Sequence, residues 1–416
     1  MDQQKIYIIG AGISGLIAAY EFERAGYSPI ILESSESVGG RVRTDSEKGF
    51  LMDRGFQVLL TAYPEAKRYL DYEKLNLKMF DPGALVFKPG DFFAIHDPLR
   101  NPMRLLGMAF SKVGTLKDKF KILSLTNGLK KKTEEDIFAA PSIPTIDFLR
   151  NYGFSETILD NFFKPFFKGI FLENELQTSS RMFNFVFKMF SIGNAAVPEN
   201  GMQEIPNQLK NKLQKTIFHF NSPVERVEGK TIHLKEGKQL QADKIIIASR
   251  PDKILTQLDG QFKEYRKVIN LYFSLEKSFI AQPMIGLVPD AQFLINNLVF
   301  MTDVSKSYSS SGKALLSVTV TKDSKADDQL IKLVTVELES LTGISASFFH
   351  HIKTYEILEA LPQVDDMQYT FSPTNTKIQD DIYLAGDYLL NGSINAAMTA
   401  GRKAAEAVML SLQPTH

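Results

Sequence analysis

The chain has 416 residues, and its 48 basic and 48 acidic side chains give a formal net charge of zero. This balance argues against a general nucleic-acid-binding protein, which normally carries a basic excess. Hydrophobic residues make up 44% of the chain, which is typical of a folded protein with roughly two domains. Because cysteine is absent, disulfides, iron–sulfur clusters, Cys-bound zinc, thiolate nucleophiles and cysteinyl-linked cofactors are excluded.

The amino terminus lacks the pattern of a targeting segment. Residues 1–5 are polar, and the apolar residues that begin at Ile6 lead into glycines rather than a cleavage site. No apolar run reaches the roughly 18 residues that a membrane-spanning helix needs. We therefore expect a cytoplasmic protein, and peripheral membrane contact stays open as an addition to that expectation.

The first predicted elements indicate a dinucleotide site. Residues 6–9 are typical of a buried strand, residues 16–25 of a helix and residues 28–32 of a second strand. The pattern GxGxxG at residues 10–15 joins the first strand to the helix, and Glu33 follows the second strand. A strand before the glycines, a helix after them and an acid about 20 residues on make up the dinucleotide-binding fingerprint.

Each residue type in this fingerprint has a physical role. Gly10 permits a tight turn, Gly12 lets a pyrophosphate approach the backbone, and Gly15 lets the helix pack closely on the strand. The start of the helix offers unpaired N–H groups and a positive dipole end to phosphates. Glu33 can accept hydrogen bonds from the ribose hydroxyls. The predicted cofactor-binding residues of this segment are Gly10, Ala11, Gly12, Ser14, Gly15 and Glu33.

Two segments that follow identify a family resemblance. Residues 38–44 read VGGRVRT and residues 53–57 read DRGFQ. With the first motif, they resemble the flavin-dependent amine oxidase superfamily, which includes protoporphyrinogen oxidases and phytoene-type carotenoid desaturases. The resemblance implies FAD and an α/β fold, and the absence of cysteine and of histidine in the cofactor motifs predicts that FAD binds non-covalently. The resemblance also implies that Gly40 and Arg41 contact the FAD pyrophosphate and that Gly55 and Phe56 lie beside the flavin ring.

The middle of the chain has two features whose role stays open. Residues 99–132 carry nine Lys or Arg side chains and one acid, interleaved with apolar residues. Such a segment is either a solvated face or an interfacial region attracted to anionic lipid. Residues 154–190 hold ten of the 31 phenylalanines. We expect most of them in a helical core and some along a tunnel for a flat, apolar or polyene substrate.

The resemblance also implies a discontinuous Rossmann-type FAD-binding domain. Short strands predicted at 217–220, 224–227, 231–234 and 244–248 would return the chain to that domain, and Val224 would touch the adenine. The implied boundaries are given by residue number. The FAD-binding domain takes 1–75, 198–255 and 365–416, and a mixed α+β substrate domain takes 76–197 and 256–364.

Within the second substrate-domain segment, strands are predicted at 268–275 and 315–321, a loop at 305–312 and a helix at 327–342. The end of the chain carries the final motif. A strand at 382–384 leads into Ala385, Gly386 and Asp387, and an alanine-rich helix follows Gly392 and runs to about Leu410. A helix start near the N1 edge of a flavin would stabilise negative charge on the reduced ring. The resemblance assigns cofactor contacts at Gly386, Asp387, Ser393 and Ile394.

The resulting hypothesis is an FAD-dependent oxidoreductase that removes a hydride from a bulky apolar or cyclic small molecule at flavin N5, with oxygen or another acceptor taking the electrons. No catalytic side chain is assigned and no metal is expected, because adjacent His350 and His351 would face opposite ways on a strand. Ser393 occupies a position where many amine oxidases have an aromatic, which favours the desaturase and protoporphyrinogen oxidase branches. An amine oxidase proper, an isomerase or mutase that uses flavin without net redox change, and an inert flavin-binding scaffold remain as alternatives.

Overall fold

A computed structural model describes residues 4–96 and 114–413. The strands are β1 (Ile6–Ile9), β2 (Ile30–Leu32), β3 (Thr44–Glu47), β4 (Phe50–Asp53), β5 (Leu59–Leu60), β6 (Lys78–Met79), β7 (Gly83–Lys88), β8 (Asp91–His96), β9 (Ala195–Val197), β10 (Ile217–His219), β11 (Val224–Glu228), β12 (Thr231–Leu234), β13 (Gln239–Gln241), β14 (Lys244–Ile247), β15 (Arg266–Leu275), β16 (Gly286–Leu287), β17 (Ile295–Phe300), β18 (Ala314–Val320), β19 (His350–Leu361), β20 (Lys377–Gln379) and β21 (Ile382–Leu384). The α-helices are α1 (Ile13–Arg24), α2 (Pro64–Tyr69), α3 (Tyr72–Leu75), α4 (Leu116–Lys130), α5 (Glu134–Ala139), α6 (Thr145–Tyr152), α7 (Glu156–Ile158), α8 (Lys164–Phe171), α9 (Ser180–Ile192), α10 (Glu204–Asn211), α11 (Met301–Val304), α12 (Asp328–Thr342) and α13 (Ile394–Leu412).

The sheet that carries the first motif has six strands in the order β10-β2-β1-β14-β21-β20. All of its pairs are parallel except the edge pair of β21 with β20. Its central strands are almost continuously apolar, as expected for a parallel sheet covered on both faces. Ile8, for example, is fully buried and lies opposite Ile31 and Ile246. The sheet thus assembles strands from the beginning, the middle and the end of the chain.

The two faces of this sheet are covered differently. Ile6 and Ile8 point into a core shared with α1 and α13. Tyr7 and Ile9 point the other way, into a smaller core with the β11–β13 hairpin strands. This alternation is the period of two that a strand imposes on its side chains. The carboxyl ends of β1 and β2, at Ile9 and Leu32, border a large cavity.

A second sheet has seven strands in the order β19-β15-β18-β17-β16-β7-β8. It is antiparallel apart from the pair of β16 with β7. Alternate residues of β15 divide its faces, with Leu271 and Phe273 packing under α12 and Tyr272 packing toward the first sheet. The helices α4 to α9 hold most of the phenylalanine-rich region and share the large core of α1 and α13.

The structure refines several predicted elements. Helix α1 begins at Ile13, three residues before the prediction, because its N-cap is Gly12. Strand β2 is shorter than predicted and begins at Ile30. The segment 305–312, predicted as a loop, contains a 3-10 turn at Lys306–Tyr308 that buries Tyr308. Sequence pattern missed this turn because its stability comes from a distant partner of Tyr308.

Of the basic region predicted at 99–132, residues 99–113 lie outside the described residues. The remainder contains α4, on which Leu116 and Phe120 are exposed. Within the described part of the chain, no helix is long and apolar enough to cross a membrane.

The packing of α1 on α13 generates a test. A side-chain carbon at Gly401 would lie 2.2 Å from the carbonyl oxygen of Ser14, so Gly401→Ala should lower the free energy of unfolding by about 1–3 kcal/mol through overpacking. The matched control is Gly128→Ala in α4, where an added carbon meets no described atom within 4 Å. This substitution should raise the free energy of unfolding by about 0.5 kcal/mol. Urea unfolding of both variants checks this, and equal effects of the two substitutions would contradict the packing described.

Candidate active site

One large cavity of about 1010 Å³ opens at the carboxyl ends of the parallel strands and continues beneath the second sheet. Its wall contains most of the residues that the sequence predicts for cofactor binding. Those that line the cavity are Gly10, Gly12, Ser14, Glu33, Gly40, Arg41, Gly55, Phe56, Val224, Gly386, Asp387, Ser393 and Ile394. Ala11 and Gly15 lie just behind the wall. The structure thus brings the two distant ends of the chain to one site.

The glycines of the first loop differ in what surrounds them. Gly10 has φ +108, a backbone conformation that favours glycine. A side-chain carbon at Gly15 would lie 2.0 Å from the carbonyl oxygen of Gly10, so only glycine allows this contact of helix and strand. At Gly12 an added carbon would meet nothing within 4 Å. Gly12 therefore borders open space at the start of α1, whose N-cap has no side-chain hydrogen bond.

Glu33 joins the end of β2 to this loop. It is 7% exposed, and its Oε2 accepts a hydrogen bond of 2.7 Å from the backbone N–H of Ala11. Its Oε1 accepts from the backbone N–H of Ser35 at 2.9 Å and from the Ser35 hydroxyl at 2.8 Å. These bonds fix a carboxylate at the cavity wall beside the glycine loop.

An ion pair connects the two ends of the chain across the cavity wall. The Arg41 guanidinium donates a short hydrogen bond to Asp387 and a longer one, of 3.3 Å, to the carbonyl of Ala360. The Asp387 side chain is 7% exposed and that of Arg41 is 41% exposed. Arg41 therefore presents part of its charge to the cavity while Asp387 holds its position.

Two residues that the sequence analysis missed complete this cluster. The Tyr265 ring lies between two guanidinium groups, with the Arg41 group 5.5 Å and the Arg250 group 4.9 Å from its centroid. Arg250 is in turn paired with Asp252 and Glu359. All of these except Asp252 line the cavity. No local pattern marks Tyr265 or Arg250, because their roles depend on partners that only tertiary packing brings together.

The start of α13 forms the adjoining wall. The Ser393 hydroxyl accepts a hydrogen bond of 3.0 Å from the N–H of Ala396 and donates one of 2.7 Å to Asn391 Oδ1. A side-chain carbon at Gly386 would lie 2.1 Å from the Tyr388 ring, so glycine lets Tyr388 fold against the backbone. Ile394, the first residue of α13, lines the cavity. The remaining N–H groups of the first turn have no partner within the helix.

Asp53 lies behind the cavity, and its carboxylate accepts hydrogen bonds from three separate segments of the chain. It is 1% exposed, and its carboxylate accepts hydrogen bonds from Thr44 Oγ1 at 2.5 Å, the N–H of Met202 at 2.9 Å and the Tyr308 hydroxyl at 2.7 Å. Burial raises the pKa of Asp53 despite these three donors. Tyr308 is the residue that stabilises the turn in the predicted loop. Asp53 thus ties the DRGF segment to the second sheet.

Beyond the cofactor motifs, the cavity wall is largely apolar. Five of the predicted phenylalanines line it, and the other five pack in the core behind it. The five that line the cavity are Phe162, Phe166, Phe171, Phe187 and Phe190. Polar groups are sparse here and include Arg266, Thr319 and Asn297, whose Oδ1 is buried and has no hydrogen-bond partner among the described residues. This region suits a bulky apolar molecule held at a few polar points.

Among the residues that the structure describes, no group of three or more His, Asp or Glu side chains could hold a metal ion. His350 and His351 both lie on β19. The His351 Nε2 instead forms a hydrogen bond of 2.8 Å with Thr354 Oγ1.

The sequence matches the profile of the family described as "Flavin containing amine oxidoreductase" over residues 13–409. The chain therefore belongs to this family of flavin-dependent oxidoreductases, as the sequence resemblance indicated. Family membership implies a flavin cofactor and a small-molecule substrate.

Individual relatives agree with this assignment. Over 170 residues the chain is 26% identical to protoporphyrinogen oxidase 2 of Arabidopsis thaliana. This alignment covers 40% of this chain and 32% of that protein. The chain is 21% identical over 459 residues to 15-cis-phytoene desaturase of Glycine max, covering 97% of this chain and 79% of the relative. An oxidoreductase from Methanosarcina mazei has the same fold, with a TM-score of 0.73 at 15% identity over 98% of this chain and 100% of the other. The predicted α/β fold of Rossmann type is confirmed.

Two carboxylates, the buried Asp53 and the partly exposed Asp45, should give opposite pH dependences of stability. The folded-state pKa of Asp53 is raised by burial, so wild-type protein should lose stability relative to Asp53→Asn as pH rises from the ordinary carboxyl range. At Asp45, burial raises the pKa, but hydrogen bonds from Arg54 and Tyr355 and the charge of Arg54 lower it overall. Its contribution should therefore be present at neutral pH and disappear as pH falls below the ordinary carboxyl pKa.

Urea unfolding of wild type, Asp53→Asn and Asp45→Asn between about pH 3 and pH 7 measures how the stability contributed by each carboxylate changes with pH. The stability difference between wild type and Asp53→Asn should fall with rising pH, whereas that between wild type and Asp45→Asn should grow. Parallel pH profiles for the two variants would show that the two sites do not differ as described.

Proposed function

We propose that the chain binds FAD non-covalently and oxidises a bulky apolar or cyclic small molecule by removing a hydride. The observation that carries this proposal is the single cavity with two chemically different halves. One half is lined by the glycine loop, Glu33, Arg41 and the start of α13, and the other by phenylalanines. FAD, when bound, supplies a hydride acceptor at N5 of its ring.

The residues present fit an FAD molecule. Gly12 borders open space at the start of α1, where N–H groups and the helix dipole favour a pyrophosphate. Glu33 offers a carboxylate to ribose hydroxyls, and Arg41 offers a guanidinium to phosphate oxygens. The N-terminal turn of α13 offers a positive dipole end to negative charge on the ring. These residues would bind and orient the cofactor.

Two further observations support a dissociable cofactor and a substrate. The chain has no cysteine, and no histidine lines the described wall of the cavity, so the usual sites of covalent attachment are absent there. The cavity also continues past the cofactor motifs rather than being filled by side chains. An open apolar chamber beside Gly55 and Phe56 favours an enzyme over an inert scaffold, because it provides a dry place for substrate.

We propose that FAD binding and substrate binding are carried out by different sets of segments. We place FAD binding in 1–75, 198–255 and 365–416, and substrate binding in 76–197 and 256–364. In support, the strands of the six-stranded sheet come from the first set, and the five cavity-lining phenylalanines of the 154–190 region come from the second. The partner that accepts electrons afterwards is oxygen or another small acceptor.

Glu33→Gln should weaken FAD binding by about tenfold or more, because a hydrogen bond to a charged acceptor contributes roughly 1.5–3 kcal/mol. Glutamine keeps an acceptor oxygen for the N–H of Ala11 and loses the negative charge. The measurement is titration of flavin-free protein with FAD, followed by quenching of FAD fluorescence. Glu36→Gln, at an exposed position three residues along, is the control and should leave the dissociation constant unchanged. Equal dissociation constants for wild type and Glu33→Gln would contradict the assigned role of Glu33.

The reaction itself is tested by anaerobic mixing of the yellow holoprotein with cyclic amines, porphyrinogens and polyenes. A true substrate should bleach the flavin absorption in the visible range, and admission of an electron acceptor should restore it. Turnover that occurs only after the flavin has been reduced beforehand, with no net substrate oxidation, would instead identify a non-redox isomerase or mutase. A flavin spectrum that no member of the panel changes would count against oxidation of these substrate classes.

A further inference from the structure

Arg266 is a cation in the wall of the cavity, on the substrate side. It is the first residue of β15 and is half-buried. Its backbone lies opposite Leu361 of β19, and Leu361 Cδ1 would be 3.0 Å from a side-chain carbon at Gly392. Arg266 therefore lies near the segment that leads into α13, at the junction of the two halves of the cavity.

The contacts of Arg266 leave much of its guanidinium free. Nη1 donates one short hydrogen bond to the carbonyl oxygen of Phe171 and another, of 3.0 Å, to Thr178 Oγ1. Both acceptors are neutral. A guanidinium has five N–H donors in a planar fork, and in the described structure Nε and Nη2 have no hydrogen-bond partner.

The other arginines of the cavity wall differ from Arg266 in this respect. Arg41 is paired with Asp387, Arg54 with Asp45, and Arg250 with Asp252. Within the ranges 4–96 and 114–413, Arg266 forms no such ion pair. Burial accordingly lowers the pKa of Arg266, with only partial compensation from the more distant charge of Glu173. Because no described carboxylate pairs with this half-buried cation, it remains available to a ligand that supplies a negative charge.

We propose that Arg266 binds a carboxylate of the substrate, through the donors that the protein leaves free. This inference rests on the proposed function and narrows it: the substrate is an amphipathic acid whose apolar body lies along the phenylalanines and whose carboxylate is held at Arg266. A planar carboxylate suits the fork of a guanidinium because two parallel N–H···O bonds can form at once. A neutral polyene would leave this charge unpaired.

The test measures binding rather than turnover, using decanoate, hydrocinnamate and naphthoate, each compared with the alcohol of the same carbon skeleton. Isothermal titration calorimetry of the purified holoprotein at low salt gives the dissociation constants. Wild type should bind at least one acid about tenfold more tightly than its alcohol, and added salt should reduce that preference. Arg266→Gln should bind acid and alcohol equally, whereas Arg266→Lys, which keeps the charge but not the fork, should retain part of the preference.

The control is Lys267→Gln, which removes a neighbouring charge that is exposed and paired with Asp323; it should behave as wild type. Thermal unfolding and flavin content establish that each variant is folded, and where the Gln variant is not, the comparison of Arg266→Lys with wild type decides. No acid preference in the wild type, absence of acid binding, or an acid preference that survives in a folded Arg266→Gln protein would overturn the proposal. The visible spectrum of the same samples reports separately whether flavin is bound, so loss of the proposed function is distinguished from loss of the anion site.

Discussion

The contact between the two ends of the chain is the constraint on which the site depends. Helices α1 and α13 pack so closely that Gly401 has no space for a side chain against Ser14, and Arg41 meets Asp387 across 346 residues of sequence. Asp387 is nearly buried, and a buried charge left without its partner costs about 3–5 kcal/mol. The pair therefore helps to hold the 38–44 segment against the final motif, which follows β21 of the parallel sheet.

This arrangement explains why the cavity is chemically divided. The carboxyl ends of parallel strands and the starts of two helices supply N–H groups, a carboxylate at Glu33 and a guanidinium at Arg41, which together suit a charged dinucleotide. The second sheet and the phenylalanine-rich helices line a largely apolar chamber beside it. Oxidation by a flavin needs the reacting bond close to the ring and shielded from water more than it needs a protein base. The proposed mechanism accordingly assigns the side chains to binding and orientation.

The sequence was most informative where a local pattern has a fixed structural meaning. The glycine loop, Glu33, Gly386, Asp387 and the start of α13 could be predicted because turns, helix starts and close backbone approaches restrict the residue type. Phenylalanine content predicted an apolar region, but not which rings face the cavity and which face the core, since that depends on how α8 and α9 are rotated against the second sheet.

The residues that sequence missed share a physical reason. Four residues, Tyr265, Arg250, Tyr308 and Arg266, are each defined by a partner far away in the chain. These partners are, in the same order, the guanidinium of Arg41, the carboxylate of Glu359, the carboxylate of Asp53 and the carbonyl of Phe171. An isolated Arg or Tyr carries no local signal for such contacts. Unlike the other arginines of the cavity wall, Arg266 forms no ion pair with a described residue. No sequence motif marks the absence of an ion pair.

Acid precipitation of the purified protein, followed by assay of the flavin in the supernatant, tests the central claim most directly. We expect one FAD for each chain, released intact into the supernatant because the cofactor is held only by the contacts described. Flavin that stays with the precipitated protein would contradict non-covalent binding. Protein that contains no flavin and takes up none from excess FAD would contradict the assignment of this cavity as a cofactor site.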